Sequence, residues 1–186
     1  LELTVQEKEK RNYLKIEKPH VYEKITKFEE KIRRGEPVPI IQFQYDYRCN
    51  FRCQHCSIEP FQTKKNEREN RPGWNMEKVR NLSKQADDLG LARFVITGGE
   101  PLTFPDFDSL VEAIDPQKHY INCDSNGWFL DYKRAKHLKK IGVDRIQLSM
   151  DSLNAEEHDN FRKKKGSHER CLRAIDACKD AGLQVF

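Results

Sequence analysis

The feature that most constrains this chain is an alternation that begins after Pro39. Ile40–Tyr47 is rich in β-branched and aromatic residues and reads as a strand. Met76, Val79, Leu82, Ala86 and Leu89 then recur at helical spacing, and Gly90 stops that helix. Strands follow at Ala92–Thr97, Tyr120–Ser125 and Arg145–Met150, with helices at Phe107–Ile114, Asp131–Ile141 and Ser167–Ala181. Leu183–Phe186 opens a further strand. Strand, loop and helix in regular succession predict parallel β-α units joined by right-handed crossovers, hence an α/β fold.

Residues 1–39 do not share this rhythm. They are rich in lysine and glutamate, and Val21, Ile25, Phe28 and Ile32 predict one amphipathic helix from about Val21 to Arg34, closed by Gly35 and the prolines at 37 and 39. The residues before Val21 are expected to be an extended arm or disordered. Gln62–Gly73 is polar enough to be a surface loop. The expected organisation is a charged arm and helix over 1–39, then one α/β unit over 40–186. The last apolar run has no following helix to cover it, so a fragment of a longer protein is expected.

The chemistry-bearing residues sit where strands end. Directly after the first strand comes Cys49-Asn50-Phe51-Arg52-Cys53-Gln54-His55-Cys56. Three thiolates this close can surround one metal site, and thiolates are the usual ligands of iron–sulfur clusters. A cubane has four irons, so three cysteines leave one iron open to an external chelator. A structural zinc site is the alternative, with His55 as fourth ligand folded back beside Cys56. No signal peptide or membrane-length apolar run is visible, which predicts a cytosolic protein, where cysteines are metal ligands, reactive thiols or core residues rather than disulfides. Cys123, Cys171 and Cys178 have apolar neighbours and are expected in the core. The basic runs Lys133–Lys140 and Arg162–Lys165 accompany no nucleic-acid motif, and the net charge is only +4, so solvated faces are expected there.

Further signals follow the next strands. These are Thr97-Gly98-Gly99-Glu100-Pro101, Ser125-Asn126-Gly127, Ser149-Met150-Asp151 and His158-Asp159-Asn160-Phe161-Arg162. Parallel β/α barrels build their sites at the C-terminal ends of their strands. With the cysteine triad, this set resembles the radical S-adenosylmethionine (radical SAM) superfamily over about Ile40 to Phe186. The resemblance implies a partial (β/α)₆ barrel, here reaching about four β/α units. It implies a [4Fe–4S] cluster on Cys49, Cys53 and Cys56, with SAM on the fourth iron. His55 takes the place of the residue beside the SAM adenine. Gly98, Gly99 and Glu100 match the motif that binds the SAM amino group. Ser125, Asn126, Ser149 and Asp151 resemble contacts to the ribose and carboxylate, and Arg162 is a partner for the carboxylate.

The implied reaction is one-electron cleavage of SAM to methionine and a 5′-deoxyadenosyl radical that abstracts hydrogen from a substrate. The implied partners are an electron donor such as a flavodoxin or ferredoxin and a substrate that is a peptide or a small molecule. The motif set leans towards peptide or protein modification. A fused leader-binding domain ahead of the barrel is not expected, because that needs on the order of 80 residues.

Overall fold

The computed structural model describes residues 4–62 and 74–186; 63–73, most of the expected surface loop, lie outside the described residues. Five strands form one sheet in the order β1-β2-β3-β4-β5: Ile41–Asp46, Arg93–Gly98, Tyr120–Ser125, Arg145–Leu148 and Gln184–Val185. Every neighbouring pair is parallel, with Ile41 opposite Phe94, Phe94 opposite Ile121, Cys123 opposite Ile146 and Ile146 opposite Val185. This is the α/β order expected for the wall of a partial β/α barrel.

The crossovers are α3 (Met76–Asp88), α4 (Phe107–Ile114), α5 (Tyr132–Lys140) and the pair α6 (Ala155–Arg162) and α7 (Ser167–Asp180). Their apolar faces meet one face of the sheet, where Phe43, Phe94, Ile96, Ile121, Cys123 and Ile146 are buried against Val79, Leu110, Ile114, Leu138 and Cys178. Cys171 is buried as well, so all three cysteines outside the triad have left solvent, as their apolar neighbours required.

The N-terminal residues depart from expectation. Instead of an extended or disordered arm, Val5–Glu17 forms helix α1, followed by α2 at Pro19–Arg33. A capping box starts α1. The Thr4 hydroxyl accepts the Glu7 N–H, and the Glu7 carboxylate accepts the Thr4 N–H at 2.8 Å. The two helices close the N-terminal ends of the strands. Leu14, Val21 and Ile25 are buried against Ala92 and Tyr120, which lie just before β2 and at the start of β3. Lys18, between the helices, reaches both Asp144 carboxylate oxygens at 2.8 Å, just ahead of β4, and the Gly142 carbonyl at 2.9 Å. Lys24 bonds Asp87 at the end of α3. Among the described residues no helix is long and apolar enough to cross a membrane.

Candidate functional site

At the opposite, C-terminal ends of the strands lies a cavity of about 300 Å³. Cys49, Cys53 and Cys56 line it, with His55 beside them. Gly98, Gly99 and Glu100 after β2, Ser125 and Asn126 after β3, Ser149 after β4 and Arg162 at the end of α6 complete the predicted residues found there. Asp151 is not part of the lining. It stands behind Arg162, whose Nε donates to the Asp151 carboxylate.

The glycine pair has a steric reason. A Cβ on Gly98 would lie 2.2 Å from the Asp46 carbonyl oxygen, and one on Gly99 only 1.8 Å from that of Arg48. The backbone leaving β2 thus runs against the backbone entering the cysteine loop. The Gly99 and Glu100 N–H groups donate to Asp46 and Arg48 at 2.9 and 2.6 Å. These amides are tied to the loop rather than free for a ligand.

Glu100 is 1% exposed. Its carboxylate accepts the Ser125 hydroxyl and the Asn126 N–H, each at 2.7 Å, and the Leu102 N–H at 3.2 Å. All three donors are neutral, and no cation lies within ion-pairing distance among the described residues. Burial pushes the Glu100 carboxyl up to about 7, against the pull of those hydrogen bonds and of more distant Arg162. These bonds lock the ends of β2 and β3 together. Asn126 continues the network, its side-chain amide donating to Asn50 at 2.9 Å.

The cysteine loop is held from the other side by α6. Gln54 N–H donates to the Phe161 carbonyl at 2.9 Å, and the His55 ring stacks on Phe161 with centroids 4.5 Å apart. An Arg162 nitrogen lies 3.8 Å from Cys53 Sγ. Burial pushes the Cys49 thiol up to about 11 and raises that of Cys53, which Arg162 pulls back. Metal binding must therefore displace protons from these sulfurs.

Among the described residues no three His, Cys, Asp or Glu side chains close around a single ion. Three thiols lining one cavity are the donor set of a [4Fe–4S] cluster that keeps one iron for an external ligand, and so the chemistry of the residues present fits that group.

Polar residues inside the barrel escaped sequence reading. Asn122 and Asp124 alternate with buried Ile121 and Cys123 along β3, so they occupy the face opposite the helices. Asp124 and Gln44 line the same cavity. Asn122 donates to Asp124 at 2.7 Å, and Arg145 donates to Asn122 and Gln147 at 2.8 and 2.9 Å. Polar residues at every second place in a strand were the available signal.

Compared with known proteins, residues 46–186 match the sequence profile of the Radical SAM superfamily. The chain belongs to the radical SAM superfamily. A GTP 3′,8-cyclase of Campylobacter curvus is 34% identical over 154 residues, covering 81% of this chain and 46% of that protein. Among solved structures, Streptococcus suis SuiB has a TM-score of 0.64 at 18% identity, over 88% of this chain and 36% of SuiB. The AdoMet-bound anSMEcpe has a TM-score of 0.60 at 22% identity, over 80% and 43%. These structural likenesses establish the fold. The chain spans about half the length of the curated relatives it matches or less. A [4Fe–4S] cluster and SAM are the cofactors of this superfamily.

Proposed function

We propose that this chain forms the SAM-cleaving part of a radical SAM enzyme acting on a small polar substrate. Residues 40–186 would be the barrel part and residues 1–39 the segment that closes its base. The observation that carries the reading is the pairing, at one cavity, of three cysteines with Glu100, a buried carboxylate that no cation among the described residues neutralises.

Cys49, Cys53 and Cys56 would hold the cluster. When bound, the cluster and SAM supply a 5′-deoxyadenosyl radical that removes a hydrogen atom from substrate. Glu100 would take the SAM ammonium, exchanging a desolvated charge for a charge-assisted hydrogen bond. Ser125 and Asn126 hold that carboxylate in place; the Ser125 hydroxyl also accepts the Gly127 N–H, and the Asn126 side chain is engaged by Asn50 and the Trp128 N–H, so Ser149 beside them would meet the ribose. Arg162, restrained by Asp151, offers the SAM carboxylate a cation and keeps positive charge beside Cys53. His55, supported by Phe161, would flank the adenine. An acidic or flavin-containing electron donor of the flavodoxin or ferredoxin class would reduce the cluster.

On substrate, the reading moves from the peptide preference of the sequence. Several relatives above 30% identity carry the name GTP 3′,8-cyclase, a small-molecule enzyme, and the lumen beneath the cavity is lined by Gln44, Asp124, Asn122 and Arg145 rather than packed with apolar side chains.

The test is anaerobic reconstitution, followed by iron and sulfide analysis and by mass spectrometry after incubation with SAM and dithionite. Four irons and four sulfides per chain, on the cubane stoichiometry of about four each, and formation of 5′-deoxyadenosine are expected. Bound zinc without sulfide would overturn the reading. Deuterium carried into 5′-deoxyadenosine from a labelled peptide, with none from any small metabolite, would reverse the choice of substrate.

A further inference from the structure

The lumen changes character between its two ends. Near the cavity it is lined by carboxylate and amide groups, whereas at the N-terminal ends of the strands three cations gather. Lys10 of α1 puts its Nζ 4.5 Å from the centroid of the Tyr120 ring. Arg93, the first residue of β2, puts its guanidinium carbon 5.7 Å from the same centroid. Arg145, the first residue of β4, is paired in register with Asn122, two residues along β3 from Tyr120 and on the same face.

The nearby acids are already engaged. Asp144 is bonded by Lys18, and Glu29 by Arg11 at 2.6 Å. Among the described residues, Lys10, Arg93 and Arg145 have no carboxylate within ion-pairing distance; Arg145 meets the neutral amides of Asn122 and Gln147 and the Phe186 ring, and Arg93 also lies over Phe28. The buried Nε of Arg93 has no acceptor.

Two cations over one ring and a third on the neighbouring strand repel, and an orphaned buried guanidinium nitrogen loses its hydration without recompense. The strain shows in Lys10, whose ammonium is pushed down to about 8 by burial and by its two arginine neighbours. Cation–π attraction of Lys10 and Arg93 to Tyr120 offsets part of this. It leaves the Arg93 Nε unsatisfied and the net charge uncompensated.

We infer that Lys10, Arg93 and Arg145 form an oxyanion-binding floor that holds a carboxylate or phosphate group of the substrate, with the rest of the molecule reaching up towards Asp124. Tyr120 and Asp124 are separated along β3 by about 13 Å at the usual strand rise. The substrate would therefore be elongated, anionic at the floor end, and carry a hydrogen-bond donor for Asp124 at the cavity end. This rests on the radical SAM reading for the identity of the occupant as substrate, but the site itself is defined by the three cations.

Inorganic pyrophosphate and citrate serve as probes of the two oxyanion types, with sodium chloride at matched ionic strength as control. Binding to the reconstituted protein is followed by calorimetry and by melting temperature, neither of which needs turnover. Iron content and SAM cleavage are measured on the same samples, so a failed floor is distinguishable from a failed radical SAM assignment. Pyrophosphate, citrate or both should bind and raise the melting temperature above the chloride control, the stronger naming phosphate or carboxylate. In the double variant Lys10→Gln, Arg93→Gln that affinity should fall by about tenfold or more, while the anion-free melting temperature should rise because repulsion is relieved. The control variant Lys133→Gln should match the wild type. The inference is overturned if neither probe binds beyond chloride. It is equally overturned if the double variant binds as the wild type does, or melts lower with its anion response intact.

Discussion

The two ends of the barrel each bury a carboxylate, and they treat it in opposite ways. At the base, Asp144 is nearly as hidden as Glu100 at the mouth, yet both of its oxygens meet the Lys18 ammonium, with 4% and 3% of the two side chains exposed. At the mouth, Glu100 has only neutral donors among the described residues. A buried charge neutralised within the chain ties distant segments together, and removing one partner leaves the other uncompensated. A buried charge kept solvated by hydroxyl and amide groups alone stays available to an incoming cation. Mutations at the base should therefore change stability and spare cofactor binding, and mutations at the mouth should do the reverse.

The largest expected effect is at the mouth. Cys53→Ala should lower iron from about four per chain towards zero, because a cubane with two thiolate ligands is not retained. Its circular dichroism spectrum should stay that of the folded protein. A full iron complement in this variant would remove the cysteines from the comparison.

Lys18→Met tests the base. Breaking a buried pair costs about 3–5 kcal/mol, so denaturant unfolding should show a loss of that order while iron content and SAM affinity stay unchanged. The double variant Lys18→Met, Asp144→Leu should recover most of the loss. A neutral single variant would make the base pair ornamental and void the contrast.

Glu100→Gln should weaken SAM binding by about 1–3 kcal/mol, the range for a charge-assisted hydrogen bond, with a smaller change in stability than Lys18→Met. Calorimetry with SAM checks it. The pH dependence has a defined sign. Burial raises the Glu100 carboxyl from about 4.5 to about 7 in the folded chain. The folded protein thus holds a proton that the unfolded chain gives up, and Glu100 lowers stability progressively as pH rises from about 4.5 to 7. SAM binding needs the carboxylate, so SAM affinity should instead rise over the upper part of that window. The Gln variant should flatten both curves.

The smallest effect lies at the base, with the opposite slope. Despite partial burial, hydrogen bonds from Lys24 and His20 hold the Asp87 carboxyl down at about 2. A depressed carboxyl adds stability above its unfolded value of about 4 and loses it as pH falls from there towards 2. Lys24→Met should remove most of that acid-side slope in urea titrations. An unchanged slope would show that the pair is only an exposed contact.

Strands and crossover helices were legible because their apolar periods are strong. α4 and β3 have the expected ends, and α3, α5 and α7 differ from expectation by one residue at one or both ends. α1 was missed because Lys and Glu dominate it and only Leu14 anchors its buried side. Its cue was Thr4 followed three residues later by Glu7, a capping box in plain sight. α6 was read as a motif and not as a helix, though Asn154 caps it by accepting the Glu156 and Glu157 N–H groups. Within the site, residue types and order were readable from strand ends. The clash that reserves Gly99 for glycine was not, because it involves Arg48, which only folding brings near. The pairing of Lys18 with Asp144 was hidden for the same reason.

That last contact also sets a timetable. Lys18 and Asp144 are 126 positions apart, and translation adds about 5–20 residues per second. The ammonium thus waits roughly 6–25 s for its carboxylate. For most of that interval Leu14, Val21 and Ile25 have no Tyr120 to pack against, since Tyr120 is made only near its end. The helices that close the base are made before the strands they cover, and they are among the last elements to be locked.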